Sequence, residues 1–451
     1  MSTTTHFATK SPSIQWGIIG LGDVCTIKSG PAFYKSHNSK LIAVMRRSPG
    51  AARRWVAENR EVIQRYNTID DTIDDDNSEM MRGYDNVNEM IAENINELDA
   101  IYIATPPGVH LENVRQIISA LDDATTTTGD DDANRKQQQS SRLKAIYVEK
   151  PCGRSAWETR IMIDELHHRN IQFFPAYVSR AHERTQVVLH KLLSSNKRSI
   201  GDQVRKVQYV QRGSSFARGL DGEEGIIPWR LVAEYSGGGL VMDMGCHVLD
   251  RIDYLFGPVV DVKSEVLRRG GGGVGVGVGV GDEEGKYPLV EDYVSMNGRI
   301  GQCDWAVISS EGAIVECLWD FSPPDKNNEK KNDEDELIIT GTNGSLRMAG
   351  MGAGLPIEVL DVDGNVIETI EFEAPMHAAQ PLIQSIVNEL RGVDIDDEEE
   401  RQQQQHYLGK SPARAENAIR TSEVLDAILN SYFGGRHDEF WTRPESWPGL
   451  K

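Results

Sequence analysis

At 451 residues, 39% hydrophobic and 26% charged, the chain has the size and composition of a globular protein of two ordinary domains rather than a disordered one. A formal net charge of −21 argues against nucleic acid and anionic membrane as partners, and no apolar run approaches the ~20 residues that span a bilayer. The five cysteines are odd in number and lack zinc spacing, which suits free thiols in a reducing, cytoplasmic setting, and the Thr/Ser-rich Met1–Ser13 has no apolar secretion core.

The first half alternates apolar runs with helical stretches. Ile14–Gly20, Lys40–Met45, Leu98–Thr105 and Lys144–Val148 read as buried parallel strands, with helical periodicity over Ala51–Asn59 and His110–Leu121. Residues 13–151 are therefore expected to form an α/β Rossmann domain, a parallel sheet with helices on both faces. Gly20-Leu21-Gly22 follows the first strand directly, where glycines let backbone N–H groups approach a pyrophosphate. That makes Gly20, Gly22, Asp23 and Val24 the cofactor turn, although the third glycine of the fingerprint is replaced by Cys25. The second strand ends in Arg46-Arg47-Ser48 where an NAD-preferring site carries an acid. Two guanidinium groups suit a 2′-phosphate and favour NADP over NAD; the other reading is a pair of solvated surface arginines.

Acidic and low-complexity stretches interrupt this pattern. Asp70–Asp76, Asp130–Asp132, Asp333–Glu336 and Asp394–Glu400 are read as solvated, and insertions are expected near 122–142, 270–285, 323–336 and 393–409. The Gly/Val tract within Gly270–Gly281 lacks the lysine of a phosphate loop and reads as a linker.

Residues 152–451 read as an α+β domain with a mostly antiparallel open sheet. Strands are expected at Val207–Gln211, Val259–Leu267, Tyr293–Ile300, Gly312–Asp320, Leu337–Thr340, Ile357–Val362 and Val366–Phe372, the last two joined by an Asp363-Gly364 turn. Helices at Gly239–Phe256, Pro381–Arg391 and Ala413–Leu429 are expected to cover one face. Within the first of these, Asp243, His247 and Asp250 share a face. A histidine there suits proton transfer from a hydroxyl, and an acid one turn earlier suits a substrate hydroxyl or the imidazole. A purely structural helix and a metal site are alternatives, but no further ligand set for a metal is evident. Glu149-Lys150-Pro151 closes the fourth strand, where open α/β sheets bind ligands, and its lysine is placed to polarise a carbonyl.

Gly17–Asp23, Ala104-Thr105-Pro106-Pro107 with His110, Glu149-Lys150-Pro151 and Gly237–Asp250 together resemble the glucose–fructose oxidoreductase and inositol dehydrogenase (Gfo/Idh/MocA) family of NAD(P)-dependent enzymes. The resemblance covers nearly the whole chain outside the insertions. It implies that Lys150 stands by the reacting carbon and that Asp243 and His247 are the substrate-binding and acid/base pair. It further implies that Thr105, Pro106 and His110 line the nicotinamide ribose, that Glu149 approaches the cofactor, and that Tyr177, Arg180, Trp229 and Arg230 face substrate. Family members commonly associate through the open sheet, which implies a homodimer or homotetramer. The expected reaction is hydride transfer between nicotinamide and a CH–OH carbon of a sugar, polyol or cyclic diol. A cofactor-dependent glycosidase and a non-catalytic dinucleotide sensor are the competing readings.

Overall fold

The computed structural model describes residues 13–22, 24–67, 81–126, 141–189, 199–213, 228–269, 289–303, 307–322, 333–393 and 408–451. Six strands, β1 (Ile14–Ile19), β2 (Ser39–Met45), β3 (Arg82–Tyr84), β4 (Ala100–Ile103), β5 (Ala145–Val148) and β6 (Gln172–Pro175), form one sheet in the order β3-β2-β1-β4-β5-β6. The pairs β1–β2, β1–β4 and β2–β3 are parallel, and the strand order reverses between β1 and β4. The four central strands are almost wholly buried, which explains their unbroken apolar sequences. The edge strands β3 and β6, of three and four residues, escape the sequence pattern because so short a segment has no measurable period.

Helices connect these strands: α1 (Gly30–Lys35), α2 (Ala51–Asn67), α3 (Val87–Asn94), α4 (His110–Thr126) and α5 (Ala156–His167). Two starts are capped by side chains that accept otherwise unpaired N–H groups. Asn86 Oδ1 accepts from Glu89 at 2.9 Å, and Ser155 Oγ accepts from Glu158 at 3.4 Å. Helix α4 runs to Thr126, so the first residues of the expected 122–142 insertion are helical. At its far end Arg142 grips the buried Asp99 at 2.8 Å, and residues 127–140 lie outside the described residues.

The second sheet has eight strands: β7 (Val204–Arg212), β8 (Val259–Leu267), β9 (Tyr293–Ile300), β10 (Ala313–Asp320), β11 (Glu334–Gly341), β12 (Ser345–Ala349), β13 (Ile357–Leu360) and β14 (Val366–Ile370). Their order is β14-β13-β12-β11-β7-β10-β9-β8, and every pair is antiparallel except β7–β10. Period-two burial puts Val207, Tyr209, Val315, Cys317, Trp319, Leu337 and Ile339 inside. Helices α6 (Cys246–Phe256) and α8 (Ala415–Phe433) pack on each other, and α8 lies against β8.

Two expectations are corrected here. The helix expected at Pro381–Arg391 exists as α7 (Gln380–Arg391), but it packs with α1 and β1 rather than on the eight-stranded sheet. Gln384 fixes it there, accepting from the His37 N–H at 2.7 Å and donating to the His37 carbonyl at 3.2 Å. An apolar helical stripe states that a face is buried, not which sheet buries it. The acidic run Asp333–Glu336 is not a solvated insertion either, since Glu334, Asp335 and Glu336 open β11. Cross-strand partners compensate them: Arg212 holds Glu334 at 2.9 Å, and the Tyr209 hydroxyl donates to Asp335 at 2.7 Å. Residues 323–332 of that expected insertion, and the runs at 70–76, 130–132, 270–285 and 394–400, lie outside the described residues.

The chain packs as two compact units that are discontinuous in sequence. One is drawn from Met1–Ala104, Gln116–Ile146 and Ala379–Pro412, the other from Thr105–Arg115, Tyr147–Ala378 and Ala413–Lys451. Among the described residues no helix is long and apolar enough to cross a membrane.

Candidate active site

In the first unit, β1 delivers the chain into Gly20 at φ +99°, a left-handed conformation that a side chain strains. The Gly20 N–H donates to the Met45 carbonyl at 2.9 Å, which ties the turn to the end of β2. A Cβ at Gly22 would project into open space, the room that close backbone approach by a dinucleotide requires. The chain then enters a π-helical turn, Val24–Ser29, before α1, and Cys25 is fully buried within it. The backbone of the turn fits a pyrophosphate. Asp23 lies outside the described residues. Arg46 and Arg47 are exposed, and neither pairs with a carboxylate among the described residues.

The second unit brings three of the sequence-predicted residues together in one charge cluster. Lys150, just beyond β5, donates to Asp243 Oδ1 at 2.8 Å and to the Asp243 carbonyl at 2.9 Å. Arg230 approaches the other carboxylate oxygen, Oδ2, at 3.2 Å. Burial works against the Asp243 anion, but Lys150 and Arg230 outweigh it and hold the carboxyl down at about 2. Burial likewise opposes the Lys150 cation, and Asp243 foremost among its neighbours reverses this, so the ammonium is kept. His247 lies on the next turn, half-buried, with no hydrogen-bond partner among the described residues. Burial, and then the Lys150 charge, push its imidazole well below the usual range, so it is neutral at pH 7.

The surrounding loops fix this cluster. Gly237, at φ +82°, ends the short helix Ala233–Ser236, and a Cβ there would lie 2.5 Å from the Arg154 carbonyl. Gly239 N–H donates to Glu291 Oε1 at 2.9 Å, and burial raises this Glu291 to about 7. Arg436, 1% exposed, donates to the carbonyls of Gly237 and Arg154, both at 2.6 Å. One guanidinium thereby joins the segment entering the Asp243 helix to the loop that follows Lys150. Glu291 and Arg436 were missed in the sequence because each acts across a long separation and neither stands in a local motif. Asp243 itself lies in a π-helical turn, Val241–Gly245, that leads into α6.

The remaining candidates divide. Glu149 Oε2 accepts the Lys150 N–H at 3.0 Å. His110 is fully buried between the carbonyls of Cys152 at 2.7 Å and Thr105 at 2.6 Å, and burial lowers it to about 4. It ties the Thr105–Pro106 turn to the loop after Lys150, and Thr105 Oγ1 donates to Asn113 Oδ1 at 2.8 Å. Arg230 stacks on Trp229 at 4.4 Å. Tyr177 is fully buried and its hydroxyl has no partner among the described residues. Arg180 is 2% exposed and engaged on both sides, with Asp250 at 2.9 and 3.0 Å and Asp253 at 2.8 Å. Asp250 is therefore committed to Arg180, and Arg420 closes the network on Asp253 at 2.6 Å. No group of His, Cys, Asp and Glu that could hold a metal occurs among the described residues.

Comparison with known proteins gives one domain family and a consistent fold. The family model of the GFO/IDH/MocA C-terminal domain matches residues 206–347. Oxidoreductase P35 of Formosa agariphila is 26% identical over 380 residues, covering 83% of this chain and 90% of its own. The transcriptional regulator Gal80p of Kluyveromyces lactis superposes with a TM-score of 0.64 at 15% identity, covering 94% of each chain. The WlbA dehydrogenase of Bordetella pertussis, solved with NADH and UDP-GlcNAcA, gives 0.57 at 16% identity, covering 93% of this chain and 96% of its own. The two structural likenesses, below one residue in five identical, concern the fold.

Proposed function

The chain belongs to the Gfo/Idh/MocA oxidoreductase family, and on that premise we propose that it transfers a hydride between a nicotinamide dinucleotide and a CH–OH carbon of a sugar, polyol or cyclic diol. The observation that carries this reading is the Lys150–Asp243–Arg230 cluster with a neutral His247 one turn away. A structural ion pair has no need of an unpartnered neutral imidazole beside it, whereas oxidation of an alcohol needs a proton acceptor. His247 takes the hydroxyl proton as the O–H and C–H bonds break and the C=O bond forms. Lys150 stabilises the negative charge that develops on that oxygen, and Asp243, itself held by Arg230, orients the lysine. When bound, the nicotinamide supplies the acceptor for the pair of electrons leaving with the C–H hydrogen. Gly20 and Gly22 are assigned to the pyrophosphate, with Asp23 and Val24 beside them, and Thr105, Pro106, His110 and Glu149 to the nicotinamide end.

Arg46 and Arg47 support NADP over NAD, because two exposed guanidiniums with no carboxylate partner among the described residues suit a 2′-phosphate. Tyr177, Trp229 and Arg230 are assigned to the substrate, and Arg180 to holding the helix that carries His247. The exposed Val260 and Ile314 of the eight-stranded sheet support association as a homodimer or homotetramer. WlbA's complex with NADH is consistent with a dinucleotide cofactor for this fold. The test is a fluorescence titration with NADPH and NADH, followed by an absorbance screen over aldoses, inositols and cyclic diols. Tighter NADPH binding with turnover is expected. NADH binding equal to or tighter than NADPH sinks the arginine assignment, and tight binding without turnover replaces the enzyme with a dinucleotide sensor.

A further inference from the structure

The four-residue row that runs from Asp243 to His247 continues to Arg251, and the chemistry above gives Arg251 no role. This guanidinium is 0% exposed and forms no ion pair among the described residues. Its Nη1 reaches the Met351 sulfur at 3.4 Å, while Nε and Nη2 have no partner among the described residues. The nearby charges are committed elsewhere. Asp250 is held by Arg180, and Asp335 accepts from the Tyr209 hydroxyl. Arg184, also fully buried, donates to the carbonyls of Ala349, Gly350, Gly352 and Pro356 and likewise forms no ion pair among the described residues. Asp335 acts on both buried guanidiniums and Asp250 on Arg251 as well, but no ion pair joins either arginine to these carboxylates among the described residues. His182, 4% exposed, sits within electrostatic reach of Arg251 and of His247. Its Nε2 faces the Ala378 carbonyl at 2.9 Å, and its Nδ1 has no partner among the described residues.

A buried cation without a counterion is costly, and such a cluster calls for a compensating anion. The hydrogen-bond partner that Arg251 has among the described residues is a poor acceptor on a compliant side chain. Met351 lies between Gly350 and Gly352, and a thioether on three rotatable bonds is readily displaced. A carboxylate or phosphate takes two guanidinium N–H groups at once, which matches the two free donors in number. His247 and Arg251 are one helical turn apart, about 5–6 Å along the axis, a spacing of a few bonds within a small hydroxy acid or phosphorylated polyol.

We propose that Arg251 is an oxyanion receptor of the substrate site, so that the compound oxidised carries a carboxylate or phosphate ester, which takes the place of the Met351 sulfur on the guanidinium. This deepens the hydride-transfer reading and rests on it.

The test uses the full-length protein with D-gluconate and D-glucuronate as carboxylate probes, sorbitol 6-phosphate as the phosphate probe, and sorbitol and glucose as neutral controls. Thermal protection without cofactor and kcat/KM with cofactor are both measured. Wild type is expected to be protected by one acidic class and to favour it over the matching neutral compound by about tenfold or more, the scale of a charge-assisted bidentate contact. Arg251→Met, which keeps the bulk and removes the charge, is expected to lose both effects and keep NADPH binding. Should that variant not fold, Met351→Glu provides an internal carboxylate; it is expected to raise Tm and abolish protection by the acids. Equal protection and turnover by acidic and neutral compounds overturns the proposal while leaving hydride transfer intact, as does acid preference surviving in Arg251→Met or acid protection surviving in Met351→Glu. Protection by acids lost in Arg251→Met, with no turnover of any compound, upholds the receptor and removes the hydride-transfer reading instead. No protection and no turnover by any probe counts against the proposal.

Discussion

Replacing Asp243 by Asn removes the negative charge from the middle of the Lys150–Arg230 cluster while keeping nearly the same shape. The Asp243 side chain is 19% exposed, and its carboxyl falls from 3.8 to about 2 on folding, burial being outweighed by the two cations. A drop of nearly two pH units corresponds to about 2 kcal/mol of stability at neutral pH. Because the folded value is depressed, this contribution is fully present above about pH 4 and is lost as pH falls through about 2. The Asn variant also leaves the Lys150 ammonium buried without its counterion, which raises the expected loss toward about 3 kcal/mol. The assay is a urea-denaturation double-mutant cycle at pH 7 with Asp243→Asn, Lys150→Met and the double variant. A coupling of about 2 kcal/mol is expected, with the double variant more stable than Asp243→Asn alone, and turnover should be lost in all three. A coupling below about 0.5 kcal/mol, the range of exposed pairs, would refute the idea that this pair is a desolvated unit.

His247→Asn is expected to lower kcat by about 10²–10⁴. In wild type, burial and Lys150 lower the imidazole, so the neutral base persists on acidification and the acid limb of kcat/KM for oxidation should lie below pH 6.5; a limb above that value contradicts the assignment. Arg180→Met leaves Asp250 buried without its cation and should cost about 3–5 kcal/mol in denaturant unfolding; a loss under 1 kcal/mol would show that the network is not closed as described. Gly20→Ala is expected to lose about 1–2 kcal/mol because φ is +99°. Gly22→Ala, whose added methyl meets nothing among the described residues, should keep its stability and lose NADPH affinity; unchanged affinity there would remove the turn from the cofactor site.

Much of this architecture was legible because its physics is local. The central strands announce themselves as unbroken apolar runs, since both faces of that sheet are covered. The strands of the second sheet show as alternation, and Asp363-Gly364 as a turn, where Gly364 takes φ +84°. Lys150, Asp243 and His247 were found through a strand end and a helical spacing, and the first two meet at 2.8 Å. What stayed hidden depends on distant partners. The Asp333–Glu336 charges look solvated until Tyr209 and Arg212 arrive from another strand. Asp250 looks like a third site residue until Arg180, seventy positions earlier, claims it. Arg251 and Arg436 carry no local signature, because a buried guanidinium is defined by what it lacks or spans in three dimensions.

Hydride transfer is tested most directly with NADP+ and sugar acids or polyols deuterated at their carbinol carbons. The account predicts NADPH formation with the deuterium recovered at C4 of the nicotinamide and none released to water, and no such transfer by His247→Asn. Tight NADP+ binding with no label transferred from any of these compounds, or label appearing in solvent rather than on the cofactor, would contradict it.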